Sequence, residues 1–198
     1  EPEYIESCWA LLKKLYDKGF LYKGYTIQPY SPAAGTGLSS HELNQPGTYR
    51  DVMDTTVVAQ FRVKRDAVSE KLFEAACRTR TDNSVEPKVF ILAWTTTPWT
   101  LPANTGLAVG KNIPYQLIST FNPYTFEPIH VVLAKALVGR YFNEKGAAAP
   151  LEGYAEGDHK VLPWRLEGEF TGADLINIKY ERLFDFTPFE GEERAFRV

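Results

Sequence analysis

Apolar residues recur along this chain with two different periods. Over residues 5–18, Ile5, Cys8, Trp9, Leu12, Leu15 and Tyr16 return at three- and four-residue spacing, which predicts a helix with one apolar face. Pro2 precedes that segment, and Gly19 stands where a left-handed residue ends a helix. Over 55–63 the period falls to two. Val57, Ala59, Phe61 and Val63 share one face and Thr56, Val58, Gln60 and Arg62 the other, the pattern of a half-buried antiparallel strand. Short apolar runs at 89–94, 106–110, 115–119, 129–133, 161–166 and 175–180 extend the strand pattern; 20–27 is also strand-like, although Gly24 interrupts it.

Between these runs the signals are weaker. Val68, Leu72, Ala75 and Ala76 suggest a helix within 66–80, and 134–142 suggests a short helix closing near Gly146. Residues 28–39 are rich in turn formers, and 79–88 and 147–150 look like loops. Many short strands with few helices predict a mostly β chain with peripheral helices (α+β), its strands forming a closed or nearly closed β-barrel.

The stretch at 94–104 reads Trp-Thr-Thr-Thr-Pro-Trp-Thr-Leu-Pro-Ala-Asn. Pro98 has no N–H for a ladder and biases Thr97 toward an extended conformation, so the strand at 89–94 must leave its sheet here. The result is a rigid lip of small hydroxyls, indoles and an amide at a strand end. Such a lip suits a partly apolar ligand held by a few placed hydrogen bonds. Each of these residues also has an ordinary role in strands and turns.

Composition narrows the setting. A chain of 198 residues with 44% hydrophobic content supports one globular domain with an appendage. No apolar run approaches the roughly 20 residues that span a bilayer. The chain opens Glu1-Pro2-Glu3 with neither an initiator methionine nor a signal peptide, as an excised fragment would. Cys8 and Cys77 form no CxxC pair, which suits thiols in a reducing cytosol and offers no metal site. The net charge of −3 and the scattered basic groups (Lys13-Lys14, Lys64-Arg65, Arg78-Thr79-Arg80) do not describe a stand-alone nucleic-acid binder. If a nucleic acid is handled, a larger parent protein must supply most phosphate contacts. His41, His130 and His159 are far apart with no carboxylate at catalytic spacing, and the pairs Tyr141-Phe142 and Phe184/Phe186 are expected in the core. There is no Gly-x-Ser-x-Gly, P-loop or HExxH sequence.

The order of residues at 94–104 resembles the threonine-rich peptide of the editing domain of isoleucyl-tRNA synthetases. The valyl and leucyl relatives typically carry a TTRPxT form, whereas here Thr97 precedes the proline and Trp99 follows it. Two further stretches carry the same resemblance. One runs from Tyr22-Lys23-Gly24 through Pro29-Tyr30-Ser31 to Leu38-Ser39 and Glu42; the other joins Phe170-Thr171-Gly172-Ala173-Asp174-Leu175 to Tyr180-Glu181-Arg182-Leu183-Phe184. The resemblance implies a junction from a catalytic Rossmann domain over 1–45 and a barrel-like editing domain over 46–198. No HIGH-type or KMSKS-type sequence is present, so amino-acid activation with ATP and Mg would belong to the parent enzyme, and editing would use no cofactor.

By the same resemblance the chemistry is hydrolysis of valyl-tRNA(Ile) at the 3′-terminal ribose, in a cytoplasmic, monomeric enzyme without membrane contact. Thr95, Thr96 and Thr97 would hold the terminal adenosine and a water, and Asn104 a polar group of the substrate. Trp99, with Trp94, Thr100 and Leu101, would shape the amino-acid pocket. The family's later GTGxVHxAPxxGxxD segment, whose aspartate holds the substrate ammonium, has no counterpart in 1–198; Asp82 and Glu86, the carboxylates nearest the lip in sequence, are expected on a solvent-facing loop. Three functions therefore remain: an editing hydrolase of isoleucyl or valyl/leucyl type, a tRNA 3′-end binding module without chemistry, and a generic β-barrel ligand binder.

Overall fold

A computed structural model describes residues 1–78, 85–152, 154, 155, 157, 161–186 and 188–198; Asp82, His159 and positions 79–84 of the expected loop lie outside the described residues. The chain divides into two compact units, Glu1–Met53 and Asp54–Val198.

The first unit begins with α1, Pro2–Asp17. Gly19 adopts φ 74°, and its N–H donates to Tyr16 O while the Phe20 N–H donates to Leu15 O. This left-handed cap satisfies two carbonyls the helix would otherwise leave open. Residues 20–27 are not a strand: Tyr25 and Ile27 are fully exposed, and no described strand lies alongside to pair with their backbone. The turn formers that follow hold a small antiparallel pair, β1 (Tyr30–Ser31) with β2 (Thr36–Gly37). Then comes α2, Ser40–Leu43. Ser39 and Glu42 close a capping box over α2, the Ser39 N–H reaching Glu42 Oε2 at 2.6 Å and the Glu42 N–H reaching Ser39 Oγ at 3.3 Å.

The second unit is built on five strands: β3 (Val57–Arg62), β4 (Val89–Thr95), β5 (Pro114–Phe121), β6 (Pro128–Ala134) and β7 (Trp164–Thr171). Their order across the sheet is β3-β4-β6-β5-β7. Every pairing is antiparallel except β4 with β6, which is parallel. The centre of the sheet is buried on both faces, which is why β6 is apolar on both faces apart from the buried His130. Val132 joins Leu117 and Ile91 beneath α3 (Glu70–Cys77), where Leu72, Phe73 and Ala76 are buried; Val131, Leu133 and Ile118 pack on the opposite face with Val138 and Phe142. Each large side chain removed from water in this way contributes about 1.5–3 kcal/mol.

Other elements differ from the sequence pattern as well, and the apolar run at 106–110 forms no named strand, only a single bridge from Gly106 to Arg197. The helix expected over 134–142 is divided into a 3₁₀ turn at Lys135–Leu137, then α4 (Val138–Tyr141) and α5 (Glu144–Ala148), the last capped by Asn143. A strand starts at Trp164 rather than 161, because Pro163 cannot donate to a ladder. Residues 175–180 form no named strand. Thr171 and Asp174 make a capping box that starts α6 (Gly172–Leu175), and only Lys179 and Tyr180 form single bridges. The aromatic pairs also separate: Phe142 is buried, but Phe184 and Phe186 stack at 5.2 Å on the surface.

A closed barrel is not seen among the described residues. Beyond β3 the pairing continues as isolated bridges, Val63 to Tyr180, Lys179 to Arg197, and Gly106 to Arg197. At the far side the Gly172 and Ala173 N–H groups donate to Ile113 O and Lys111 O. The strip 105–113 is thus linked to the β3 side through residues 196–198 and 178–181, and its other end bonds directly to the corner that follows β7. Among the described residues no helix is long and apolar enough to cross a membrane.

Candidate functional site

The lip lies where β4 leaves the sheet. Its last ladder pair joins Thr95 to Val57, and the chain then turns into the 3₁₀ helix Pro98–Ala103. Pro98 occupies the helix start, where its missing N–H would have had no helical partner. Thr97 precedes it with φ −124° and ψ 67°, outside the helical region as a residue before proline must be.

Thr95, Thr97 and Thr100 form a chain of hydroxyls, and its proton directions follow from counting. The Thr100 hydroxyl donates to the Thr97 carbonyl oxygen at 2.7 Å. It has no second proton, so the Thr97 hydroxyl is the donor in the 3.4 Å contact between them. Thr95 is then the donor to Thr97 in the 3.3 Å contact, while Thr95 Oγ1 accepts the Thr97 N–H at 3.0 Å. All three protons are committed within the chain, and what these oxygens present outward is lone pairs. Thr96 is exposed, and its hydroxyl has no hydrogen-bond partner among the described residues. It is the threonine of the lip that remains ready to donate.

A cleft of about 410 Å³ opens beside this turn, floored by Phe61 of β3. Five of the residues singled out from the sequence line it: Trp94, Thr95, Thr100, Leu101 and Asn104. Thr96, Thr97 and Trp99 do not, and the Trp99 indole is 67% exposed. Trp94, half-exposed, carries the Arg140 guanidinium over its ring at 5.8 Å. Asn104 ends the 3₁₀ helix. Its N–H donates to Leu101 O, its Nδ2 donates to Gly106 O at 3.0 Å, and its Oδ1 accepts from the Tyr180 hydroxyl at 2.6 Å.

Among the described residues, no acidic, basic or imidazole side chain lines the cleft. Among the described residues no cluster of His, Cys, Asp or Glu could hold a metal ion. Of the two carboxylates nearest the lip in sequence, Glu86 is exposed and faces Arg65 at 3.5 Å, away from the cleft lining. His41 is exposed and bonds Gln45, and His130 is buried within β6.

Reading along the chain missed Phe61, Arg140 and above all Tyr180 as parts of this site. Phe61 was visible as one member of an alternating face. Tyr180 lies 76 residues from Asn104, and nothing local marks the pair.

Comparison with known proteins gives a consistent set of matches. The family model described as tRNA synthetases class I (I, L, M and V) matches residues 1–101. The Isoleucine--tRNA ligase of Cytophaga hutchinsonii is 55% identical over 198 residues, covering 100% of this chain and 16% of that protein. That of Bacteroides fragilis is 54% identical over 199 residues with the same coverage, 100% and 16%. That of Treponema denticola is 37% identical over 189 residues, 94% of this chain and 15% of the relative. The chain therefore spans about 16% of the length of these curated relatives. A solved structure described as the crystal structure of GlLeuRS-CP1 has a TM-score of 0.41 and 14% identity, over 65% of this chain and 44% of that one.

Proposed function

Because the chain belongs to the class I tRNA synthetases of the isoleucine, leucine, methionine and valine group, we propose that the cleft beside Thr95 is an editing pocket that hydrolyses valyl-tRNA(Ile). The observation that carries this reading is the threonine lip itself. A sequence resembling the editing peptide lies along a cleft at a strand end, in a chain whose curated matches are isoleucine–tRNA ligases. An isoleucine-binding site gains only about 1–3 kcal/mol against valine from one methylene, a figure that itself rests on these synthetases. A second pocket that admits the smaller product and hydrolyses it supplies the missing discrimination.

An aminoacyl ester is already activated, so a positioned water and a donor toward the developing oxyanion are sufficient, and no cofactor is needed. In this reading the committed hydroxyls of Thr95, Thr97 and Thr100 accept protons from the water and the terminal ribose. Thr96 supplies the free donor, Asn104 holds a polar group of the ester, and Trp94, Trp99 and Leu101 bound the valyl side chain. Residues 1–45 serve as the junction to a catalytic domain of the same polypeptide, and the remainder as a barrel-like domain. The strip 105–113, linked to the β3 side through residues 196–198 and 178–181 and bonded at its other end to the corner after β7, supports that last point. The enzyme so described works in the cytoplasm on the 3′ end of tRNA.

The test is a full-length synthetase carrying this segment with Thr96 and Thr97 both changed to alanine. Hydrolysis of valyl-tRNA(Ile) is expected to fall by orders of magnitude while isoleucylation persists. Parallel loss of both activities would overturn the assignment.

One observation favours a second reading, a 3′-end binding module without chemistry: among the described residues, the cleft lining holds no titratable group to take the ammonium of the substrate. Single-turnover deacylation by this chain alone, compared with its binding of an aminoacyl-adenosine analogue, separates the two.

A further inference from the structure

We propose that Tyr180 is a positioning residue of this site, its buried phenol locking the Asn104 side-chain amide in one orientation toward the aminoacyl ester. The inference rests on the reading of the cleft as an editing pocket. The lock follows from hydrogen-bond chemistry. Gly106 O can only accept, so the atom of the amide facing it at 3.0 Å must be Nδ2. Oδ1 then faces Tyr180, and the phenol donates to it at 2.6 Å. A flipped amide would set a nitrogen against the phenol and an oxygen against the carbonyl, losing the bond to Gly106. Among the described residues, one N–H and one Oδ1 lone pair of Asn104 have no partner, and Asn104 lines the cleft. The ligand group chosen by that N–H is an oxygen acceptor of the ester or its ribose.

The phenol cannot drift away from this task. Tyr180 is fully buried, and its ring meets Phe61 edge-on at 5.1 Å and Phe196 at 6.2 Å. Its backbone N–H donates to Phe196 O, and a bridge to Val63 ties it to the margin of β3. Burial pushes its hydroxyl up to about 12, so it stays a proton donor across the range in which a synthetase works. Phe61 floors the cleft, so the same ring packing supports both the floor and the amide.

The experiment uses a full-length synthetase carrying Tyr180→Phe, Asn104→Ala, both together, and Asn104→Asp. Tyr180→Phe is expected to lower kcat for valyl-tRNA(Ile) deacylation roughly two- to tenfold, the loss of one hydrogen bond, with KM and isoleucylation unchanged. Asn104→Ala is expected to lower it further, and Tyr180→Phe to add nothing in that background. Asn104→Asp keeps the acceptor for Tyr180 but replaces both N–H groups, the one bonded to Gly106 O and the free one, by an oxygen, and it should be as slow as Asn104→Ala. An unchanged rate for Asn104→Ala would overturn this inference and leave the editing reading to its own test, the Thr96 and Thr97 double variant. If Asn104→Ala is slow, the role of Tyr180 is overturned by an unchanged rate for Tyr180→Phe. Equal factors for Tyr180→Phe in both backgrounds, or a wild-type rate for Asn104→Asp, would overturn it too.

Discussion

Thr100 donates its hydroxyl proton to the carbonyl oxygen of Thr97 at 2.7 Å, and this bond sets the proton order along the Thr95, Thr97 and Thr100 hydroxyls. Removing it releases the proton of Thr97 and loosens the turn that leads from β4 into the 3₁₀ helix. Thr100→Val should therefore destabilise the fold by about 0.5–1.5 kcal/mol, the net value of one intramolecular hydrogen bond. Thr96→Ala should leave the unfolding midpoint unchanged, since that exposed hydroxyl has no protein partner among the described residues. Urea unfolding of the two variants checks both. An equal loss for the two would mean that the proton directions derived above are wrong.

Trp99 is 67% exposed and outside the cleft lining, so whatever role it has comes from contact with a ligand. Trp99→Ala should shift stability by no more than about 0.5 kcal/mol, as surface substitutions do. If the indole faces the bound amino acid, Trp99→Glu in the full-length enzyme will slow hydrolysis of a valyl ester more than that of a threonyl ester. Equal losses on the two esters would remove Trp99 from the pocket.

Gly172 stands at the corner where β7 turns into α6, close against the Gly110 backbone. A Cβ there would run into Gly110 O, and both partners are backbone, with no flexible side chain to yield. Gly172→Ala is expected to cost about 1–3 kcal/mol through overpacking. Gly139, where a Cβ would meet nothing within 4 Å, is the control, and Gly139→Ala in α4 should be neutral or stabilising. Thermal unfolding of the pair decides.

Tyr180 also predicts an alkaline weakness. Its hydroxyl titrates near the ordinary tyrosine value of 10.0 when unfolded and at about 12 when buried. A raised folded value means that the stabilisation is complete below pH 10 and is lost as pH rises toward 12. Between those values the fall of stability with pH should be shallower in Tyr180→Phe than in the parent by the uptake of one proton. Denaturant titrations at several alkaline pH values measure the slope, and identical slopes would show that Tyr180 ionises freely in the fold.

An acid weakness has a different source. The Lys135 ammonium, and then the Gln116 amide, hold the Glu169 carboxyl below its usual value. A lowered folded value means that this contribution is present above pH 4.5 and is lost as pH falls through the folded value. Lys135→Met should flatten the acid limb of the stability profile, and the change should shrink in high salt because the pair is exposed.

Much of this architecture was already determined by the chain itself. The alternation of Val57, Ala59, Phe61 and Val63 specified β3 and its inner face, because a one-residue slip would expose all four. Gly19 specified the end of α1, and the order of hydroxyls and prolines at 94–104 marked where β4 must leave the sheet. Those are local signals, set by period and by backbone restriction. The tertiary structure decided what local signals cannot carry. The apolar run at 175–180 became a helical turn and single bridges, because Thr171 and Asp174 cap a helix there and Leu175 is buried against α3 and the sheet. The threonine lip divided into three hydroxyls bound to one another and one left free, a result of angles in a single turn. Asn104 acquired its orientation from Tyr180, 76 residues away, because a side-chain amide can be fixed only by donors and acceptors that the fold brings to both of its ends.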